Sequence, residues 1–168
     1  MTVSLGDILT RLRDEFAPIA KLKGLDLRII PSQAMITSDP GFLYRILQNL
    51  IANAIRYTER GKVLVGARRH AGTVRVEIWD TGCGIAEQDQ DRIFAEFERL
   101  ETRASASEGL GLGLAIVERA CARLGHPLAM QSRLNHGTGF FVTLNRSGKV
   151  EHSRPDATTQ PCNDPVLP

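Results

Sequence analysis

Leu5, Ile8, Leu9, Leu12 and Phe16 recur at the spacing of one helical face, with Ser4 placed to cap the start and Gly24 to stop the end. The pattern predicts a helix from about Leu5 to Lys23, with Pro18 as an internal flaw. Leu25 to Ile30 alternates apolar and charged residues and reads as a strand, and Pro31 to Ser38 reads as a turn region. A second helix begins at Ser38 or Asp39 with Pro40 in its first turn; its apolar face is Phe42, Leu43, Ile46, Leu47, Leu50, Ile51 and Ala54, and Gly61 ends the segment. Lys62 to Arg69 and Thr73 to Asp80 form a strand pair around His70-Ala71-Gly72. A glycine turn (Thr81 to Gly84), a short helix (Gln88 to Phe97) and a small, polar loop (Leu100 to Glu108) follow. Gly113 to Leu124 reads as a third helix, ended by Gly125 and Pro127. Leu128 to Arg133 and Gly139 to Leu144 are strands around a turn at Asn135 to Thr138.

From Arg146 onward polar residues and prolines dominate, which predicts a disordered tail or interdomain linker over 146–168 after one domain over 1–145. The element order implies an α/β (α+β) two-layer sandwich: a mixed, mainly antiparallel sheet of about five strands, with three helices on one face.

At 168 residues, with 42% hydrophobic and 24% charged residues, the chain has the make-up of one soluble globular domain. A net charge of +2 argues neither for nor against nucleic acid; the needed sign would be a basic stripe, and with only short pairs such as Arg68-Arg69 no nucleic-acid partner is expected. No apolar run approaches the roughly 18 residues of a membrane span, and no secretory signal is visible at Met1 to Gly6. Cys83, Cys121 and Cys162 form no CxxC pair, so reduced thiols in a cytoplasm are the simplest expectation.

Candidate chemistry lies in three places. Asn49 and Asn53 are one turn apart on an otherwise apolar helix, where amides are costly without partners. They are either structural amides or ligands; an Asn53 carbonyl oxygen suits magnesium, which prefers oxygen ligands. Arg56 can pair with phosphate, and the Tyr57 ring can cover an adenine. Asp80 ends a strand and enters Thr81-Gly82-Cys83-Gly84-Ile85, where a carboxylate can accept from an exocyclic amine and glycines admit a base closely. The alternative is an ordinary turn; the aspartic-protease reading of Asp-Thr-Gly lacks a second carboxylate in a β-rich fold. Gly109-Leu110-Gly111-Leu112-Gly113-Leu114 leads into a helix whose first amides attract anions. No Gly-Lys-Ser/Thr follows, so it is not a Walker loop, and no strand immediately precedes it.

In this order the motifs resemble the histidine-kinase-type ATPase domain, shared by sensor kinases, type II topoisomerases, a mismatch-repair ATPase and a heat-shock chaperone. Leu47 to Thr58 is similar to the N box, Asp80 to Ile85 to the G1 box, Phe94-Ala95-Glu96-Phe97 to the F box and Gly109 to Gly113 to the G2 box; Gly137-Thr138 resembles the last glycine motif. The resemblance covers roughly residues 3–145 and implies the Bergerat ATP-binding fold, with ATP and Mg2+ as cofactors. It implies that Asn53 holds magnesium with Asn49 nearby, and that Arg56 and Arg99 contact phosphate. Tyr57 would flank the adenine, and Asp80 would read its amine, helped by Gly82 and Gly84. Ile85, Phe97, Leu110, Leu112 and Leu114 belong to the matching motifs; Gly109, Gly111 and Gly113 would wrap the phosphates, and Thr138 would close the base pocket. Three positions depart from the pattern: Arg56 for the commoner lysine, Cys83 between the G1 glycines, and Asn135 for a glycine. Cys83 reads as a small hydrophobe, with a redox-sensitive thiol as the sharper alternative.

The hydrolysing relatives carry a general-base glutamate where this chain has Asn49, and an amide cannot take a proton at neutral pH. The reading therefore shifts toward a protein histidine kinase whose acceptor histidine lies on a separate dimerisation or phosphotransfer domain. His70, His126, His136 and His152 read as surface or turn histidines, none followed by Glu or Asp. The expectation is a domain of a larger two-component kinase, hybrid or not, with a response-regulator receiver downstream. It would be cytoplasmic and monomeric in isolation, touch no membrane, and not autophosphorylate alone. The alternatives are a serine kinase of the anti-sigma-factor type, a partner-binding module without catalysis, and a gyrase-like ATPase.

Overall fold

The computed structural model describes residues 1–94 and 113–148. Its elements run β1 (Thr2–Ser4), α1 (Leu5–Lys23), β2 (Asp26–Ile29), β3 (Met35–Thr37), α2 (Pro40–Arg56), β4 (Lys62–His70), β5 (Thr73–Asp80), a 3-10 turn (Glu87–Asp89), α3 (Gly113–Leu124), β6 (Leu128–Arg133) and β7 (Gly137–Arg146). One sheet has the order β1-β3-β7-β5-β4-β2, with β6 also paired to β7. Only the β2–β4 pair is parallel. The two-layer, mainly antiparallel architecture is thus as expected, but the described sheet has seven strands rather than about five. The extra strands are the three-residue β1 and β3, too short for alternation to reveal.

The expected cap at Ser4 forms, and of Ser38 and Asp39 it is Asp39 that caps α2. The Ser4 hydroxyl accepts from the Asp7 amide, and Asp39 accepts from the Phe42 amide. Gly24 adopts φ +77° at the end of α1, the left-handed geometry that releases its amide to the Ala20 and Lys21 carbonyls. Pro18 does not break α1; it stands on the exposed face, away from the buried residues of the helix. The predicted helix from Gln88 to Phe97 is replaced by the 3-10 turn as far as Asp89 and non-helical turns to Phe94; the remainder lies outside the described residues. His70 ends β4 rather than lying in the turn, since register pairs it with Thr73 across Ala71-Gly72.

The core forms where the inward residues of the sheet (Val63, Val65, Val74, Val76, Ile78, Phe140, Val142 and Leu144) meet the helices. From α2 alone, Leu43, Leu47, Leu50 and Ile51 are completely buried. Each such side chain removed from water contributes roughly 1.5–3 kcal/mol. The opposite sheet face carries the chain's one tryptophan: Trp79 packs edge-on to Phe141 and donates to Glu77. Burial opposes the Glu77 charge, but hydrogen bonds from Trp79 and Arg75 and the charge of Arg68 hold its carboxyl below the usual range.

The sequence reading makes His126 a surface or turn histidine; it lies in a turn, but it is not on the surface. It follows α3 and is buried; its Nε2 bonds the Ser38 hydroxyl at 2.8 Å, and its Nδ1 has no partner among the described residues. The backbone turn after α3 places it there, with its amide bonded to the Cys121 carbonyl. Burial lowers its pKa below the ordinary 6.5, so the unfolded chain takes up the proton first on acidification. The stability held by neutral His126 is complete above that ordinary value and is lost as pH falls toward the folded pKa. Urea unfolding between about pH 7.5 and pH 5 is expected to show this decline. His126→Gln is expected to flatten it; the same slope in that variant would place the proton uptake elsewhere.

Candidate nucleotide-binding site

Three elements converge at one end of the sheet. Helix α2 delivers Asn49, Asn53 and, at its C-terminus, Arg56 and Tyr57. Strand β5 ends in Asp80, whose parity matches Val76 and Ile78 and so turns it toward the helix layer. Helix α3 begins at Gly113 directly against α2: a carbon placed on Gly113 would lie 3.4 Å from Asn49 Oδ1 and 3.8 Å from Asn53 Nδ2. The amide motif and the last glycine of the G2 motif are therefore neighbours in space.

Asn49 shows the structural side of the sequence reading at its nitrogen. Its Nδ2 donates to the Arg45 carbonyl one turn back, which makes it in part a structural amide. Its Oδ1 faces the Gly113 side. The end of α2 is held from outside: Lys23 Nζ, in the last turn of α1, donates to the Ile55 and Arg56 carbonyls at 2.6 and 2.9 Å. The amide of Tyr57 continues the helix by bonding the Asn53 carbonyl, and the fully buried Thr58 hydroxyl donates to Ala54. No sequence signal pointed to Lys23, which reaches α2 across 32 residues of chain.

The turn after β5 has no room for a side chain at its two glycines. Asp80 Oδ1 accepts from the Gly82 amide at 2.9 Å, an Asx turn that fixes the carboxylate against its own loop. A carbon on Gly82 would lie 2.4 Å from the Tyr57 carbonyl oxygen, and one on Gly84 (φ +67°) would lie 2.0 Å from the Arg133 carbonyl oxygen. On the far side, a carbon on Gly137 would meet the Asp80 carbonyl oxygen at 2.0 Å. Cys83 is exposed, and its carbonyl accepts from the Asn135 amide. Asn135 itself adopts φ +63°, a left-handed conformation that asparagine tolerates, which explains how it replaces glycine there. Cys121, in contrast, is buried in α3, and burial pushes its thiol up to about 11.

Thr138 is the register partner of Asp80 on one side and of Ser132 on the other. Its hydroxyl lies 2.8 Å from Ser132 Oγ, which also accepts from the Ile85 amide. Gln90 bridges the Ile85 and Ser132 carbonyls. Sequence reading missed Ser132 and Gln90. The alternation of β6 (Leu128, Met130, Ser132) could have placed Ser132 on the inner face opposite Thr138. Ile85 is itself core, and Leu114 packs against the core from the first turn of α3. Phe97, Arg99, Gly109, Leu110, Gly111 and Leu112 lie outside the described residues.

The family described as histidine kinase-, DNA gyrase B- and HSP90-like ATPase matches residues 38–148. This chain belongs to that family. Within this ATPase family, sensor histidine kinases are among its relatives. It is 34% identical over 150 residues to the sensor histidine kinase YcbM of Bacillus subtilis, a match that covers 86% of this chain and 48% of that protein. The chain thus spans about half the length of that curated relative. The structure of full-length ShkA in complex with AMPPNP aligns with a TM-score of 0.73 and 30% identity, over 89% of this chain and 32% of that one. The nucleotide-free catalytic domain of the histidine kinase ThkA aligns with a TM-score of 0.73 over 87% of this chain and 95% of that one; at 24% identity it speaks to the fold alone. The chain therefore carries the histidine-kinase-type ATP-binding catalytic domain. No helix among the described residues is long and apolar enough to cross a membrane.

Gly82→Ala tests the close approach in this ATPase domain. The added methyl must push the turn from α2, and overpacking of this kind costs about 1–3 kcal/mol. Chemical denaturation is expected to show that loss; unchanged stability would mean that the turn stands farther from Tyr57.

Proposed function

We propose that this domain binds Mg-ATP at the Asn53–Asp80–Gly113 convergence and transfers the γ-phosphoryl group to a histidine on a separate dimerisation domain of the same kinase. The observation that carries the reading is the approach of Gly113, the start of α3, to Asn49 and Asn53. It brings helix amides, suited to phosphate, next to the Asn49 side-chain oxygen and the side-chain amide of Asn53, the group proposed for magnesium. Among the described residues no group of three or more His, Cys, Asp or Glu can hold a metal ion. A single amide oxygen completed by phosphates and water fits magnesium in such a place. Asn53 would supply that oxygen, with Asn49 beside it. When bound, the ion would neutralise charge on the phosphates. Arg56 would pair with phosphate, Tyr57 would flank the base, and Asp80 would accept from its amine beside Gly82 and Gly84. Thr138 would close the base pocket, over Ile85. Phe97 and Arg99, the G2 residues Gly109, Leu110, Gly111 and Leu112, and Leu114 complete the proposed set.

Asn49 supports transfer over hydrolysis. Its nitrogen is engaged by Arg45, and an amide has no basicity to activate water. The acceptor and a downstream receiver domain would come from partner domains of a cytoplasmic two-component system. In this reading residues 1–145 are the catalytic body, closed by β7, and 146–168 are a linker.

Titration calorimetry with ATP, with and without magnesium, tests the reading. Asn53→Ala is expected to remove most of the magnesium dependence, and Asp80→Asn to weaken ATP by on the order of tenfold. Labelled ATP is expected to mark an added dimerisation domain and not this domain alone. Failure of the parent to bind millimolar ATP would sink the proposal.

A further inference from the structure

Asp80, Thr138 and Ser132 form one rung across β5, β7 and β6, because Asp80 pairs with Thr138 and Thr138 with Ser132. Strand parity puts all three side chains on the helix-facing side of the sheet. The middle residue is buried, and its hydroxyl proton has few places to go.

The hydrogen-bond count fixes where it goes. Ser132 Oγ has one hydrogen and two lone pairs. It has three neighbours: the Ile85 amide at 2.8 Å, the Gly137 carbonyl oxygen at 3.1 Å and Thr138 Oγ1 at 2.8 Å. The amide can only donate and the carbonyl can only accept. The Ser132 hydrogen therefore goes to Gly137, and the third contact is made only if Thr138 donates to Ser132. Thr138 Oγ1 then keeps lone pairs and no hydrogen for anything else.

We infer that Ser132 sets the base selectivity of the site by orienting the Thr138 proton away from the ligand, so that the Asp80–Thr138 edge presents acceptors only. This rests on the reading of Asp80 and Thr138 as the base-recognising pair. Such an edge matches a purine whose C6 substituent is an amine, which brings two N–H donors. It opposes a 6-oxo purine, whose carbonyl would meet lone pairs from both residues. Without Ser132, the Thr138 hydroxyl can rotate and donate to a 6-oxo group, and part of the discrimination disappears. Ser132 is a positioning residue and touches no ligand in this scheme.

The test compares ATP with inosine triphosphate, which exchanges the C6 amine for a carbonyl, carries a hydrogen on N1, and keeps the ribose and triphosphate. Competition binding gives the ratio of the two dissociation constants for the parent, S132A and S132T. The parent is expected to prefer ATP. In S132A the ratio is expected to fall about fivefold or more, while S132T, which keeps the hydroxyl, stays near the parent. A purely structural role, through the Ile85 amide, would weaken both nucleotides by the same factor, and that result would overturn the inference. If S132A does not fold, T138V serves: it removes the acceptor, so the ratio is expected to fall, and an unchanged ratio overturns the inference. A parent that binds neither nucleotide would overturn the proposed function as well, which separates the two failures.

Discussion

The seating of α2 on the sheet is the constraint from which the site follows. Leu43, Leu47, Leu50 and Ile51 are wholly buried, opposite valines of β4 and β5 that are equally buried. A helix packed that closely has one rotation about its axis and one height along the sheet. Asn49 and Asn53 are then left on the flank that α3 approaches, and the end of the helix comes level with the end of β5. Lys23 adds a tie from a third element, since it satisfies carbonyls that a helix C-terminus otherwise leaves bare.

Around that fixed end the backbone crowds to the limit. The Tyr57, Arg133 and Asp80 carbonyls each occupy the place where a side chain would begin on Gly82, Gly84 and Gly137. Crowding of this kind buries polar backbone, so it is tolerable only with hydrogen bonds throughout. Asp80 takes the Gly82 amide, Cys83 takes the Asn135 amide, and Ser132 takes the Ile85 amide. The turn that carries the carboxylate is thus braced from α2 on one side and from the β6–β7 hairpin on the other.

What the site can do depends on what the amides and hydroxyls cannot do. Asn49 offers no base, so a bound nucleotide would have no protein group at that position to activate water. Thr138 has one hydrogen, and Ser132 claims it. Both are arguments from donor and acceptor capacity, and both concern residues whose partners are already fixed by secondary structure.

Residues alone give the three long helices, the two hairpins, the caps at Ser4 and Gly24 with a choice between Ser38 and Asp39, and the order of motifs that places the chain among histidine-kinase-type ATPases. These are legible because they rest on local periodicity, on residues with special backbone geometry, and on short spacings. The short β1 and β3, the burial of His126 and the reach of Lys23 were not legible, because each depends on a partner far along the chain. Tertiary structure alone decided that Gly113 lies against Asn49, that Asn135 can stand in for glycine in its turn, and that Ser132, Thr138 and Asp80 share a rung. Pairing register and the packing height of α2 set those relations, and neither is written in any single stretch of residues.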